Sequence, residues 1–143
     1  MLGNPDRPII IYLKLTPMLE REYIKAVRWI LEHDDREAIG DYLEFGVFYG
    51  SSLTCMYRVI ESFGLDNVRF FGFDSFEGLP KTTIYDDQRS WRPEQFKSNF
   101  RYAQKNLNEQ GINWNRVFLV KGCFSDTLND DHNDSWRHSY RSR

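Results

Sequence analysis

Cysteine is scarce in this chain, and long apolar runs and blocks of like charge are missing altogether. Only Cys55 and Cys123 occur, without the Cys-x-x-Cys or Cys-His spacing of a metal ribbon. Both are expected to be reduced thiols buried in apolar neighbourhoods. No segment approaches the ~20 apolar residues that span a bilayer, since Ile9-Ile-Ile-Tyr-Leu is too short. The start, Met1-Leu-Gly-Asn-Pro-Asp-Arg-Pro, lacks the basic residues and apolar stretch of a signal peptide. The 19 basic and 21 acidic residues are interspersed and leave a net charge of -2, so bulk charge points to neither nucleic acid nor a membrane surface. A soluble cytoplasmic protein is expected.

What is present suffices for one core: 143 residues, 41% hydrophobic and 16% aromatic, the size of an ordinary single domain. No internal repeat or low-complexity segment competes with that reading. From Thr16 to His33, Tyr23, Ile24, Val27, Ile30 and Leu31 recur at steps of three and four, which predicts an amphipathic helix. His33 is placed to meet that helix's carbonyl end. Tyr42-Leu-Glu-Phe-Gly-Val-Phe48 reads as a buried first strand ending in a glycine- and serine-containing turn. Ser51 or Ser52 is expected to cap a helix with face Leu53, Met56, Tyr57 and Ile60, ended by a left-handed Gly64.

Val68-Arg-Phe-Phe-Gly-Phe-Asp74 predicts a second buried strand, followed by a long polar connection over residues 75–92. A third helix is expected from Pro93, with Phe96, Phe100, Ala103 and Leu107 on one face, stopping at Gly111; Val117-Phe-Leu-Val120 then predicts a third strand. The order β-α-β-α-β implies a mostly parallel, Rossmann-like α/β sheet with right-handed crossovers and helices on both faces. The chain divides into a helical lead-in (residues 1–40), the α/β part (41–128) and a polar tail (129–143) expected to be disordered. Three parallel strands leave sheet edges open, so self-association through an edge is expected.

In open α/β sheets ligands bind beyond the carboxyl ends of the strands. Gly46 and Gly50 sit at the first such turn, and the helix behind them directs unpaired N–H groups toward an anion. Asp74 ends the second strand, 24 residues after Gly50, where a carboxylate can accept both hydroxyl protons of a ribose. Glu44 lies two residues before Gly46. Taken singly, each has an ordinary structural reading as a turn former or loop cap.

Together, Glu44-Phe-Gly46-Val-Phe-Tyr-Gly50-Ser-Ser and Phe71-Gly-Phe-Asp74-Ser-Phe-Glu-Gly-Leu-Pro80 resemble the hallmarks of the macrocin O-methyltransferase (TylF-type) family of class I S-adenosylmethionine (SAM)-dependent enzymes. Val120-Lys-Gly122-Cys-Phe124-Ser-Asp126-Thr-Leu128 is similar to the element after that family's third strand, with Cys123 in place of an aromatic. The resemblance implies a partial methyltransferase fold, with SAM as cofactor and a hydroxylated small molecule, such as a sugar or glycosylated natural product, as acceptor. It further implies that Glu44, Gly46, Val47, Tyr49, Gly50, Ser51 and Ser52 hold the methionine end. Asp74 and Ser75 would hold the ribose, and Gly122, Phe124, Ser125 and Asp126 the adenine side.

The family's magnesium ligands and acceptor-activating groups lie beyond the third strand, so this chain is expected to match the N-terminal half and no catalytic residue is assigned. Asp130-Asp-His132-Asn-Asp134 and Asp86-Asp87 have metal-ligand types but read as solvated runs. Two alternatives stand beside the enzyme: an inactive SAM-binding remnant, and a nicotinamide-binding domain. The second wants glycine where Phe48 stands.

Overall fold

The structure, a computed structural model, describes residues 8–34, 36, 39–79 and 97–128, with side chains from residue 17 onward. Its elements are α1 (Pro8–His33), β1 (Tyr42–Phe45), α2 (Ser51–Ser62), β2 (Phe70–Asp74), α3 (Phe100–Glu109), β3 (Val117–Lys121) and α4 (Phe124–Thr127). The three strands pair in the order β1-β2-β3, both ladders parallel. Tyr42 lies opposite Phe70, and Phe70 opposite Val117.

The alternation of side chains along each strand assigns the two faces. Tyr42, Phe70, Val117 and Leu119 join one core with Val27 of α1, with Leu53, Met56, Tyr57, Val59 and Ile60 of α2, and with Leu107 of α3. Helices α1, α2 and α3 thus pack on one face among the described residues, and on the other α4 meets the sheet through Phe124 against Phe45. The opposite face carries an aromatic row in which Phe45 stacks on Phe73 and Phe71 on Phe118. Phe70, Phe71 and Phe73 of the central strand are fully buried, each contributing about 1.5–3 kcal/mol of transfer free energy.

Several boundaries differ from the sequence reading. The first strand is at the sheet edge, not buried: Leu43 and Phe45 are exposed because no described strand pairs beyond β1. It also stops at Phe45, where Gly46 takes φ 94° and Phe48 φ 54° and the chain turns. Neither Ser51 nor Ser52 caps α2; Gly50, with φ 81°, occupies that position and supplies no side chain. Helix α3 starts at Phe100, because Asn99 accepts the N–H groups of Arg101 and Tyr102 and ends the extended segment before it. The expected start at Pro93 and Phe96 lies outside the described residues, as do most of the 75–92 connection, both acidic runs and the 129–143 tail.

Helix α1 begins at Pro8 and runs through Pro17, a residue that ordinarily marks a first turn. Cys55 is buried but Cys123 is exposed, because it follows β3 at the open end of the sheet. Gly64 ends α2 with φ 64°, and His33 Nδ1 sits 2.7 Å from the Trp29 carbonyl, both as the sequence implied.

One close approach ties the sheet to the turn after β1. A Cβ placed on Gly72 would stand 2.6 Å from Val47 Cγ2 and 3.1 Å from Leu119 Cδ2. Overpacking of this kind costs about 1–3 kcal/mol. Gly72→Ala is therefore expected to lower the urea midpoint with an unchanged m value, and a midpoint equal to that of the parent chain would contradict the contact.

Candidate functional site at the carboxyl ends of the strands

The turn between β1 and α2 is held from across the sheet by one carboxylate. Asp74 Oδ2 accepts the backbone N–H groups of Val47 at 2.9 Å and Phe48 at 2.7 Å. Its Oδ1 accepts Phe76 N–H at 2.8 Å. Phe48 and Phe76 are the two described non-glycine residues with left-handed backbone, at φ 54° and 61°, a conformation that costs about 1–2 kcal/mol for such residues. Both strained residues thus donate to the same side chain. Of the roughly four acceptor positions of a carboxylate, the described residues engage three.

Behind the turn, Glu44 is 8% exposed and points toward α2. Its Oε1 accepts Ser52 Oγ at 2.8 Å and its Oε2 accepts the Tyr42 hydroxyl at 2.8 Å. Burial raises the Glu44 carboxyl above its ordinary value, while these two donors lower it and the Asp74 charge raises it further. Burial, then the Glu44 charge, likewise pushes the Tyr42 phenol up, so Tyr42 stays protonated and donates. A carboxyl whose pKa rises on folding contributes stability below its unfolded-state value that is lost as pH climbs through the folded one. The contribution of Glu44 to stability is therefore expected to decline as pH rises from about 4.5, and Glu44→Gln to remove that component of the pH dependence. Urea melts across this range check it, and the same fall in both proteins would refute it.

The remaining residues divide by what they touch. Val47 packs its side chain into a small core with Phe76 and Ala103. The Tyr49 carbonyl accepts Asn106 Nδ2 at 2.7 Å, tying α3 to the turn, and the Tyr49 ring meets Tyr102 edge-on at 5.3 Å. Gly46 carries no neighbour within 4 Å of where a Cβ would lie, so the turn faces open space there. Ser51 opens α2, whose first turn has no side-chain cap. Its leading N–H groups, Ser51 included, are thus left for an anion. Ser75 Oγ accepts Glu77 N–H at 3.2 Å.

From the third strand, Gly122 N–H donates to the Asp74 carbonyl at 3.0 Å. Phe124, Ser125 and Asp126 lie in α4, where Phe124 is exposed and meets Phe45 edge-on at 5.9 Å. The structure thus joins Glu44, the Gly46–Ser52 turn, Asp74 and Gly122 into one bonded unit, with the α4 residues beside it. Among the described residues, no group of three or more His, Cys, Asp or Glu side chains could hold a metal.

A family model for macrocin-O-methyltransferase (TylF) matches residues 5–135. The chain belongs to that family. Among solved structures, the O-methyltransferase NovP superimposes with a TM-score of 0.64 at 18% identity, over 78% of this chain and 47% of NovP. CalS11, a calicheamicin methyltransferase, superimposes with a TM-score of 0.56 at 17% identity, over 88% of this chain and 58% of CalS11. These likenesses show a shared partial Rossmann-like fold, and this macrocin O-methyltransferase family chain spans about half the length of the two structures. A search of curated proteins finds no match.

Sequence reasoning assigned no site role to Tyr42, Phe48, Phe76 or Asn106. Tyr42 was findable, because it lies two residues before Glu44 and strand alternation puts both on one face. Left-handed Phe48 and Phe76 carry no signal of type, since aromatic residues rarely adopt that backbone.

Proposed function

We propose that this chain supplies the SAM-binding part of an O-methyltransferase that acts on the hydroxyl of a small molecule, such as a sugar or a glycosylated natural product. The observation that carries this reading is the turn itself. It leaves the first-turn N–H groups of α2 without a side-chain cap, while the described residues engage three of the roughly four acceptor positions of the carboxylate that pins it. The uncapped helix start suits the methionyl carboxylate. The Oδ1 position of Asp74 that no described residue engages suits one ribose hydroxyl, and holding both would require Val47 or Phe48 N–H to release the other oxygen. Gly46 and the α4 residues Phe124, Ser125 and Asp126 complete the reading on the cofactor's other side.

Bound SAM supplies an electrophilic methyl group on a sulfonium. The residues present here bind and orient it, and proximity is a large part of such a transfer. None is assigned to activating the acceptor oxygen, and magnesium enters only as a family expectation. Cytoplasmic location is part of the same reading. No helix among the described residues is long and apolar enough to cross a membrane. Self-association through the β1 edge, where Leu43 and Phe45 are exposed, also belongs to it and is checked by sedimentation.

Calorimetric titration with S-adenosylhomocysteine and with NAD tests the proposal. Saturable binding of the former alone is expected. At a hundredfold excess over its dissociation constant it should add about 2.7 kcal/mol to the unfolding free energy. Binding of NAD alone, or of neither ligand, would overturn the assignment.

A further inference from the structure

A file of hydroxyls from three elements ends on the buried Glu44 carboxylate behind the turn. Tyr42 of β1 donates to Oε2 and Ser52 of α2 donates to Oε1, both at 2.8 Å. The file continues outward, because the Tyr23 phenol of α1 hydrogen-bonds that of Tyr42. Tyr42 commits its one hydroxyl proton to Glu44, so Tyr23 is the donor of that pair. A helix that precedes the sheet in sequence is thereby joined to the first turn of α2. Both tyrosine rings pack against the main core, so the hydroxyls are the only groups a phenylalanine would remove.

The position of Ser52 gives the file its consequence. It is the second residue of α2, in a first turn that has no side-chain cap and whose leading N–H groups have no acceptor within the helix. A serine hydroxyl at such a place folds back onto nearby backbone groups when nothing else holds it. Here it is drawn to Glu44 instead. An ionised carboxylate only accepts and so takes both hydroxyl protons, whereas a protonated one brings a proton of its own and must release one of them. Burial, foremost, and the Asp74 charge of β2 raise the Glu44 carboxyl, while Ser52 and Tyr42 lower it. The other titratable groups facing it are Tyr23 of α1 and Cys55 of α2, the latter acted on in opposite directions by Glu20 and Arg58.

We propose that Tyr42, oriented by Tyr23, is a positioning residue for the cofactor: it steadies the Glu44 carboxylate that holds the Ser52 hydroxyl off the leading N–H groups of α2, which then receive the ligand's carboxylate. This rests on the SAM reading above. The methionyl end of the ligand is a zwitterion, so the Glu44 charge acts on its carboxylate and its ammonium with opposite signs. The placement of Ser52 is what remains.

The test is calorimetric titration of the full chain with S-adenosylhomocysteine from about pH 7 down to pH 4.5, a range over which the ligand's carboxylate keeps its charge. The parent's affinity should be level near neutrality and weaken toward the acid end as Glu44 takes up a proton. Unfolding does not account for that loss, because the stability contribution of Glu44 grows as pH falls. Tyr42→Phe should bind about three- to tenfold more weakly at neutrality, the scale of a single hydrogen bond. Its acid weakening should also begin at higher pH, since removing a donor that lowers the Glu44 carboxyl lets it rise further. Tyr23→Phe should shift both in the same direction by less, and Glu44→Gln should bind weakly and evenly across the range. Where urea melts show that Tyr42→Phe does not fold, Tyr23→Phe decides in its place. A tyrosine variant with the parent's profile, or acid weakening that survives Glu44→Gln, would overturn this inference and leave SAM binding standing. No binding by the parent at any pH would overturn the SAM reading and this inference with it.

Discussion

Asp74→Ala is expected to destabilise the ligand-free chain by about 3–5 kcal/mol, because it removes a charged acceptor from three backbone N–H groups at once. Val47 and Phe76, two of the three donors, are almost fully buried, so water cannot fully replace the lost oxygens. The strained backbones at Phe48 and Phe76 lose the same anchor. Since a domain has only about 5–15 kcal/mol in total, the turn should loosen or the fold fail. Asp74→Asn retains one acceptor oxygen but turns an amide N–H₂ toward at least one donor, so it should fall between the two. Urea unfolding without any ligand is the measurement. A melt for Asp74→Ala within about 0.5 kcal/mol of the parent, the range of an ordinary surface substitution, would show that Asp74 does not hold the turn. The distinction matters for ligand studies, because lost cofactor binding in such a variant would report a broken turn as readily as a missing ribose contact.

The second large effect lies far from the site. Arg116, with a side chain 14% exposed, precedes β3 and closes the amino ends of the strands. Its Nε donates to the Val68 carbonyl at 3.0 Å and Nη2 to the Leu65 carbonyl at 2.8 Å, while Nη1 pairs with Glu61. The guanidinium also lies 5.7 Å from the Tyr57 ring centre and 5.8 Å from that of Phe70. Arg116→Ala leaves two carbonyls in buried surroundings and one carboxylate without this partner, at a cost of about 3–5 kcal/mol. Arg116→Lys should recover less than half, because a single ammonium lacks the planar fork that reaches both carbonyls. Thermal melts of the two variants check this, and a lysine variant as stable as the parent would reduce the role of Arg116 to bare charge.

Much of the site was legible before any coordinates because its parts are local. Glu44, Gly46 and Gly50 fall within seven consecutive residues, and Asp74 ends a run of apolar residues whose strand character needs no partner to be recognised. Gly64 could be assigned as a helix stop for the same reason. Ser51 and Ser52 misled, since their type is right for a cap but Gly50 turns into the left-handed region first. The placement of the first strand also went astray: Tyr42–Phe45 is apolar enough to be central, yet Leu43 and Phe45 stand exposed at the edge. Arg116 gave no signal at all, because each group it binds comes from a segment distant in sequence.

The sequence by itself determined the alternation of strands and helices, the parallel sheet that follows from it, and the family to which the turn and Asp74 belong. These rest on periodicity, backbone preference and short motifs, all of which act over a few residues. Only the tertiary structure decided that β2 is central between the edges β1 and β3, that described backbone donors take three acceptor positions of Asp74, and that Glu44 faces α2 with Tyr42 and Ser52 as its donors. Those outcomes depend on register and packing between segments far apart in the chain, which local preferences leave open.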